Sequence, residues 1–428
     1  MFSKKWSTPA ISIAAFFLIS LTAGAAVADK TKITYSTWHG NYKTWAPIVK
    51  YQEEGFEARF PNADFVRNDV SFDQALEQLT VSNMGENAAD IFHLLVGWVP
   101  ALHAIDGLEP LNKYFPQDYW NNIPKVLMDS VTFDGQVMAM QFNPGPIMMY
   151  YNRELFKQAG LDPNRPPQDW KEFKEYCLKI SKLPPVGGAP IYGFSMRTIR
   201  SPNSAQWSIP IIYGHGGDLF ENGEVKINTA GTRAAYKMVQ DLVKAKAIPS
   251  GFSIADSRNT FSAGRAGIIF EGPWGRGLFK NLSGGKMLTG PDKEVWISEM
   301  PKGPDGIRKT TSNSNHIGIY KGSKNKELAA KFIDFVVNDK KMIELIFDST
   351  GMIGSGNVPL IQQSKLAQDE HSQICLDALK NTIDVPIKHP KYFAILDAMA
   401  PGLQKIMTGA DIDKELTAVD RKVKRILR

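Results

Sequence analysis

The segment KITYSTWHGN (Lys32–Asn41) begins the pattern that decides the fold, a strand that ends in a polar turn containing Trp38 and His39. The segments after it alternate between helical and strand-like spacing. In chain order they are WAPIVKYQEEGFEARFP as a helix, ADFVRNDV as a strand, FDQALEQLTVSNM as a helix and AADIFHLL as a strand. Strands and helices that alternate over about seventy residues predict βαβ units with a mostly parallel sheet.

A second α/β series follows an extended segment, MAMQFNPGPIMMYYN (Met138–Asn152), which contains Pro144 and Pro146. Its main pieces are QDWKEFKEYCLKISKL as a helix, IYGFSM as a strand, TAGTRAAYKMVQDLVKAKAI as a helix, and HIGIYKGSKNKELAAKFIDFVVND as a strand followed by a helix. A chain of 428 residues is longer than a typical single domain. The sequence therefore predicts two α/β domains.

The composition indicates a folded globular protein, because 43% of the residues are hydrophobic and 22% are charged. The formal net charge is +6, but no broad basic patch with interleaved aromatic residues accompanies it. The densest basic cluster, within 421–428, is typical of the exposed last turns of a helix, where cations are favourable. We therefore expect no nucleic-acid partner.

Residues 1–28 have the pattern of a secretory signal peptide. Lys4 and Lys5 supply its positive end, and Ile11–Leu21 is an apolar run too short to span a bilayer. Ala26-Val27-Ala28 matches the small-residue cleavage pattern, so we expect cleavage after Ala28.

The chain has two cysteines, Cys177 and Cys375. Neither follows the expected cleavage site, so the mature protein should not be lipid-anchored. The spacing at Cys177 predicts a place on the apolar face of a helix. Whether the two thiols pair in an oxidising compartment stays open at this point.

No motif in the sequence predicts catalysis, a metal or a cofactor. No two of the seven histidines are within four positions of each other, which excludes a zinc site of the HExxH type. Ser283–Lys286 matches S-x-x-K but lacks the partner motifs of that enzyme class. Gly272, Gly275 and Gly277 have the wrong order for a dinucleotide loop, and Pro273 removes an N–H that a phosphate would use.

Three tryptophans lie at the ends of predicted strands. Trp38, Trp98 and Trp274 each follow a predicted strand in a glycine-containing or polar turn. In open α/β sheets, ligands bind in the crevice outside the carboxyl ends of the strands. Flat apolar rings suit the C–H faces of a sugar, and neighbouring polar groups can bond its hydroxyls. The pattern favours a carbohydrate site.

Five segments, in the right order, resemble a known family. They are GLEPLNKYF, MMYYNRELFKQAGLDPNRPPQDWKEF, GRAGIIFEGPWG, NKELAAKFIDFV and STGMIGSGNVP. The chain resembles the family 1 extracellular solute-binding proteins of bacterial ABC importers, the group that includes maltose-binding protein. The resemblance extends over nearly the whole mature chain.

This resemblance implies a two-lobed periplasmic-binding-protein fold of type II, in which each lobe is a mixed, mostly parallel sheet flanked by helices. The expected N-terminal lobe is 29–144 plus 312–354, and the expected C-terminal lobe is 145–311 plus 355–428. The chain should cross near Asn143–Gly145, near Thr311 and near Gly354. A hinge would close the lobes on the ligand, and the closed form would meet the inner-membrane permease.

The resemblance also implies a non-enzymatic, monomeric periplasmic protein that binds a mono- or oligosaccharide without a cofactor. Tryptophan and histidine would stack on or bound the ligand, while asparagine and glutamate would bond its hydroxyls. The implied site residues are Trp38, His39, Asn41, Trp98, Asn143, Trp207, Gly217, Glu271, Trp274, Asn313 and Asn315. Trp207 and Gly217 are expected in loops of the second lobe.

Other ligands stay open within the same fold. A sugar phosphate or glycerol phosphate would require arginine in the cleft, for which Arg197 and Arg276 are the candidates, and a polyamine would require several carboxylates. The segment FNPGPIMM has no carboxylate where maltose-binding protein has an acidic residue, so the ligand of that protein is not transferred. A secreted glycan hydrolase would need a pair of carboxylates across the cleft, and none is evident. A chemoreceptor role is equally compatible with the sequence.

Overall fold

A computed structural model describes Met1 and residues 30–84, 88–221, 224–383 and 388–428. Apart from Met1, the predicted signal peptide and its cleavage site lie outside the described residues. Within the described ranges, no helix combines the length and the apolar character needed to cross a membrane.

The strands are mostly short, and those in the described ranges are β1 (Thr31–Thr37), β2 (Ala63–Asp69), β3 (Ile91–Leu95), β4 (Leu108–Glu109), β5 (Thr132–Phe133), β6 (Gln136–Val137), β7 (Met140–Asn143), β8 (Met148–Asn152), β9 (Tyr192–Ser195), β10 (Phe220–Glu221), β11 (Glu224–Val225), β12 (Ala266–Glu271), β13 (Val295–Ser298) and β14 (Asn315–Tyr320).

The α-helices of the same ranges are α1 (Ala46–Arg59), α2 (Ala75–Met84), α3 (Val99–Ala104), α4 (Gln117–Trp120), α5 (Lys125–Asp129), α6 (Arg153–Gln158), α7 (Trp170–Ile180), α8 (Pro202–Gly214), α9 (Ala230–Lys244), α10 (Ile254–Ser262), α11 (Gly275–Leu282), α12 (Lys326–Asn338), α13 (Lys340–Thr350), α14 (Val358–Gln362), α15 (Glu370–Leu379), α16 (Tyr392–Met407) and α17 (Ile412–Leu427).

The first sheet has the order β2-β1-β3-β14-β4, with β7 also paired to β14. The strands β1, β2 and β3 run parallel, as the βαβ pattern predicts. The prediction of a mostly parallel sheet is wrong for the remaining pairings, because β14 is antiparallel to β3, β4 and β7. β14 starts opposite Leu95, the last residue of β3, because the chain returns there from the second sheet and so enters at the carboxyl edge.

The second sheet has the order β13-β8-β12-β9. Only β12 and β9 are parallel; β8 runs antiparallel to both β12 and β13. The two sheets form the mixed α/β bodies of a two-lobed fold. Each carries its own apolar core, with Tyr35 and Phe332 among the buried residues of the first, and Phe173 and Phe270 among those of the second.

Hydrogen bonds join the segments that run between the two sheets. Gly145 N–H donates to the Ser314 hydroxyl (2.9 Å), and Asn313 N–H donates to the Gly145 carbonyl (2.8 Å). Asn143 Nδ2 donates to the carbonyl of Ile353 at 3.0 Å. Three distant pieces of the chain therefore meet at one place between the sheets.

The glycine-containing turn that the sequence predicts at Trp274 is short. Only Gly272–Trp274 form a turn, and the other two glycines lie in α11. Close packing explains them: a Cβ at Gly275 would lie 2.6 Å from Cζ of Tyr150, and one at Gly277 would lie 2.6 Å from the carbonyl oxygen of Thr350. These glycines permit close helix packing and do not form a loop.

Candidate functional site

The parallel strands β1 and β3 end at the same edge of the first sheet, and the turns that follow them bring Trp38 and Trp98 into contact. Their ring centroids are 5.2 Å apart with planes at 67°. Trp38 also stacks on His93, at 3.6 Å and 11°, and His39 stacks on Trp45 at 3.3 Å. The predicted N-terminal part of the site is thus one aromatic cluster.

The rings of this cluster are mostly covered by one another. Trp38, His39 and Trp98 are only 4–5% exposed. One face of the Trp38 indole is taken by His93, so at most its other face is left for a ligand. A ligand that contacts this cluster would therefore touch the ring edges, or one face of a ring, and not the open faces of all three rings.

Burial makes the histidines of the cluster neutral. It lowers the pKa of His39 well below its usual range, and the nearby His93 adds to this effect. Burial likewise lowers the pKa of His93, against an opposing contribution from Asn315. His93 Nδ1 is 2.9 Å from the Thr37 hydroxyl, which fixes the ring beneath Trp38. Neutral imidazoles can exchange hydrogen bonds with sugar hydroxyls.

The four predicted asparagines occupy different settings. Asn41 is exposed, and its Nδ2 donates to the carbonyl of Val70 at 2.8 Å. Asn143 is fully buried and ties two crossing segments together. The Asn315 carbonyl accepts from Gln141 Nε2 at 3.0 Å, whereas half-buried Asn313 accepts from Gln206 Nε2 at 3.3 Å.

Glu271, at the end of β12, is a fully buried carboxylate that four donors surround. Its Oε1 accepts from Arg197 Nη2 (2.7 Å) and Arg258 Nε (2.8 Å). Its Oε2 accepts from Arg258 Nη2 (3.0 Å) and Trp274 Nε1 (2.7 Å). Burial alone would raise the Glu271 pKa, but Arg258 and Arg197 hold it below its usual value. The carboxylate is therefore ionised and saturated with hydrogen bonds from within the protein.

Trp274 lies at the junction of the two sheets. Its half-buried ring packs against the apolar clusters of both bodies. Gly145 is next to it, because a Cβ added there would lie 3.2 Å from Cζ3 of the indole. Trp274 is thus held on one side by Glu271 and on the other by a crossing segment.

The prediction that Trp207 lies in a loop is wrong, because it belongs to α8. Ser201 caps this helix by accepting from Ser204 N–H, and Pro202 favours the first turn. Trp207 Nε1 donates to the Phe270 carbonyl at 3.0 Å, and the Arg197 guanidinium lies 3.7 Å from the ring centroid. The ring therefore serves as a platform for Arg197.

Gly217 follows α8 and is buried against the start of α9. A Cβ at this position would lie 2.7 Å from the backbone nitrogen of Thr232. This close packing explains why position 217 is a glycine. Gly217 is therefore a packing residue in this structure, although the resemblance implies that it contacts the ligand.

Sequence reasoning missed Tyr392 and Phe393, at the start of α16. The Tyr392 ring lies against Gly97, in the turn between β3 and Trp98, while half-buried Phe393 packs against both apolar clusters. These two residues therefore contact the first body at Gly97, next to Trp98. The sequence signal that could have identified them is the pair of adjacent aromatic residues at the start of the helix in KYFAILDAM.

Arg258 was also missed, because a single arginine in an amphipathic helix has no local signature. The two arginines named for a phosphate ligand both have carboxylate partners: Arg197 binds Glu271, and Arg276 Nη1 lies 2.7 Å from Asp369. Among the described residues, no group of three His, Cys, Asp or Glu side chains is placed to hold a metal ion.

The chain resembles known proteins in both sequence and structure. Residues 36–343 match the family described as bacterial extracellular solute-binding protein. A Brucella abortus (strain 2308) protein named only as a binding protein is 23% identical over 340 residues, 78% of each chain. The sn-glycerol-3-phosphate-binding periplasmic protein UgpB of the same strain is 28% identical over 148 residues, which cover 34% of this chain and 33% of that one.

Two solved structures share the fold. The GacH receptor of Streptomyces glaucescens, determined unliganded and with acarbose, has a TM-score of 0.79 at 20% identity, covering 93% of this chain and 98% of its own. Maltose-bound MalE3 of T. maritima has a TM-score of 0.78 at 22% identity, with 92% and 99% covered. The family match spans most of the chain, and the two-lobed fold agrees with it. The chain belongs to the bacterial extracellular solute-binding protein family.

Proposed function

We propose that this protein is the periplasmic substrate-binding component of an ABC importer and that it binds a carbohydrate between its lobes. The observation that carries this proposal is the position of Trp274, whose ring touches both bodies beside the crossing segments. The ligands named for GacH and MalE3, acarbose and maltose, support a sugar.

The lobes would follow the crossing segments, with 29–144 plus 312–354 in the first and 145–311 plus 355–428 in the second. Ligand contacts made by both bodies would favour the closed form, because only that form satisfies them together. The closed form would then deliver the sugar to the inner-membrane permease. A monomer suffices for this cycle.

Within the site, Trp274 would stack on the sugar ring, and Trp38, His39 and Trp98 would bound it from the first body. Tyr392 and Phe393 join them from the second. Asn41, Asn313 and Asn315 would bond hydroxyls from the edges of the site. Asn143, Trp207, Gly217 and Glu271 would support the site, since each is engaged within the protein.

A second candidate is a glycerol phosphate or sugar phosphate in the same site. The UgpB relatives support it over about a third of the chain, and the arginines around Glu271 supply positive charge. A polyamine is less compatible, because Glu271, the buried carboxylate beside Trp274, is already paired with two arginines.

A hydrolase would need two available carboxylates, and Glu271 has no free oxygen lone pair in this structure. We therefore propose that the protein is not an enzyme. Pure protein should leave a chromogenic glycoside intact, and turnover would refute this part of the proposal.

Family membership implies a location outside the cytoplasm. The finer proposal is a periplasmic protein without a lipid anchor, cleaved after Ala28. Mass spectrometry of the secreted protein would test it, with an N-terminus at Asp29 as the expected result.

Isothermal calorimetry with neutral and acidic mono- and oligosaccharides tests the main proposal. We expect at least one sugar to bind, and we expect Trp274→Ala to weaken that binding by about tenfold or more because a stacked aromatic face is lost. Trp296→Ala is the matched control, since Trp296 is half-buried on the edge strand β13. If no sugar binds while a polyamine does, the proposal fails.

A further inference from the structure

One carboxylate serves two guanidinium groups at the end of β12. Glu271 bonds to Arg197 and to Arg258, and the exposed fractions of the three side chains are 0%, 3% and 23% in that order. Arg258 binds in the bidentate manner, with Nε on Oε1 at 2.8 Å and Nη2 on Oε2 at 3.0 Å. We refer to these three side chains as the Arg–Glu–Arg cluster.

The charges of this cluster do not balance. Two guanidinium groups and one carboxylate sum to one net positive charge, and no other carboxylate of the described residues forms an ion pair with either arginine. Arg276, by contrast, is matched one-to-one by Asp369. A buried charge without a partner is costly, so the cluster favours the approach of an anion.

The pKa of Arg197 agrees with this excess of positive charge. Burial, with a smaller contribution from the neighbouring Arg258, lowers the pKa of Arg197 to about 9 despite the opposing effect of Glu271. An additional negative charge close to Arg258 would relieve this repulsion.

The unbalanced charge lies at the candidate site. Arg258 Nη2 and Trp274 Nε1 donate to the same oxygen of Glu271, so the guanidinium and the indole are neighbours. Arg258 is also the most exposed member of the cluster, and no partner of its Nη1 is found in the described part of the chain. Guanidinium N–H groups bind carboxylate and phosphate oxygens well, since the hydrogen bonds are charge-assisted.

We propose that the ligand is an acidic sugar, whose carboxylate or phosphate group binds to Arg258 beside Trp274. This inference rests on the proposed function and narrows its substrate class. The sugar ring would lie on the indole, and the acidic group would complete the charge balance of the Arg–Glu–Arg cluster. The same acidic chemistry fits a uronic acid and a sugar phosphate.

Calorimetry with a matched series tests the inference on the unmodified mature protein. The probes are glucose, glucuronate and glucose 6-phosphate, followed by maltose. We expect one of the two acidic probes to bind at least about tenfold more tightly than glucose and maltose, as a charged hydrogen bond would provide. The preferred probe then distinguishes a carboxylate from a phosphate.

Arg258→Gln should weaken binding of the preferred acidic probe by about tenfold or more and change glucose binding far less. Arg425→Gln on α17 is the control, because it removes the same charge away from the cluster. If Arg258→Gln does not fold, the comparison of the four probes on the unmodified protein still tests whether the ligand is an acidic sugar.

Three results are informative. Tighter binding of an acidic probe, sensitive to Arg258, supports the inference. Equal or tighter binding of glucose or maltose overturns it and leaves the carbohydrate proposal standing. Failure of all four probes while a neutral sugar of the wider panel binds overturns the inference alone, and failure of the whole panel overturns the sugar proposal as well.

Discussion

Tyr392 lies against Gly97 so closely that a Cβ on Gly97 would be 2.8 Å from two carbons of the tyrosine ring. Gly97 belongs to the turn after β3 in the first body, and Tyr392 starts α16, which packs in the core of the second. The absence of a side chain at position 97 therefore sets how closely the two bodies approach.

Gly97→Ala should weaken ligand binding, because the added methyl group opposes the approach of Tyr392. Overpacking typically costs about 1–3 kcal/mol, which corresponds to about a 5- to 150-fold loss of affinity. Calorimetry measures the affinity, and small-angle X-ray scattering should show a larger radius of gyration with ligand present. The double variant Gly97→Ala/Tyr392→Ala should lose less than the sum of the single changes. Strictly additive effects would contradict a direct contact.

Glu271→Gln should destabilise the protein by about 3–5 kcal/mol, because it leaves two guanidinium groups in a buried setting without an ionic partner. Urea unfolding measures this change. Asp377→Asn provides the comparison, since the Lys380–Asp377 pair is 76% and 63% exposed and should contribute much less. A similar effect of both substitutions would show that the Arg–Glu–Arg cluster has no special role in stability.

His316 should make stability depend on pH. Burial lowers its pKa to about 3, whereas an unfolded histidine titrates near 6.5. The unfolded chain therefore binds more protons below pH 6.5, and stability falls as the pH drops, by up to about 1.4 kcal/mol per pH unit for this group. Above that pH the group should make no further difference.

The variant His316→Leu tests this assignment, because both ring nitrogens of His316 are buried without a hydrogen-bond partner among the described residues and leucine removes them. Urea titrations at pH 7, 6 and 5 should show a slope smaller by about one proton. His39, His93 and His371 also have lowered pKa values and leave a residual slope. An unchanged slope would mean that His316 is not neutral in the folded protein.

Cys177 and Cys375 should react with a thiol reagent only after unfolding. Both are free and fully buried, and burial raises the pKa of each thiol. A chromogenic aromatic disulfide should detect no thiol in the native protein and two in guanidinium chloride. A reducing agent should leave the melting temperature unchanged; a fall would indicate a disulfide and contradict the structure.

The amino-acid sequence by itself determined the local elements and the family. The periodicity of apolar residues located β1, β3 and β12, and Asp169 and Trp170 mark the start of α7. Such features depend on residues within a few positions of one another. The sequence also predicted that the tryptophans after β1 and β3 lie at one edge of the sheet, because neighbouring parallel strands end on the same side.

Contacts between distant residues were decided only by the tertiary structure. The antiparallel entry of β14, the stacking of Trp38 on His93 and the contact of Gly97 with Tyr392 join residues separated by 55 to 295 positions, and no local pattern encodes their register. Glu271 shows this most clearly. The family resemblance suggested an open acceptor for a ligand, but Arg197, which follows β9, and Arg258 of α10 reach it through the fold and occupy its oxygens, because a buried carboxylate is stable only when paired.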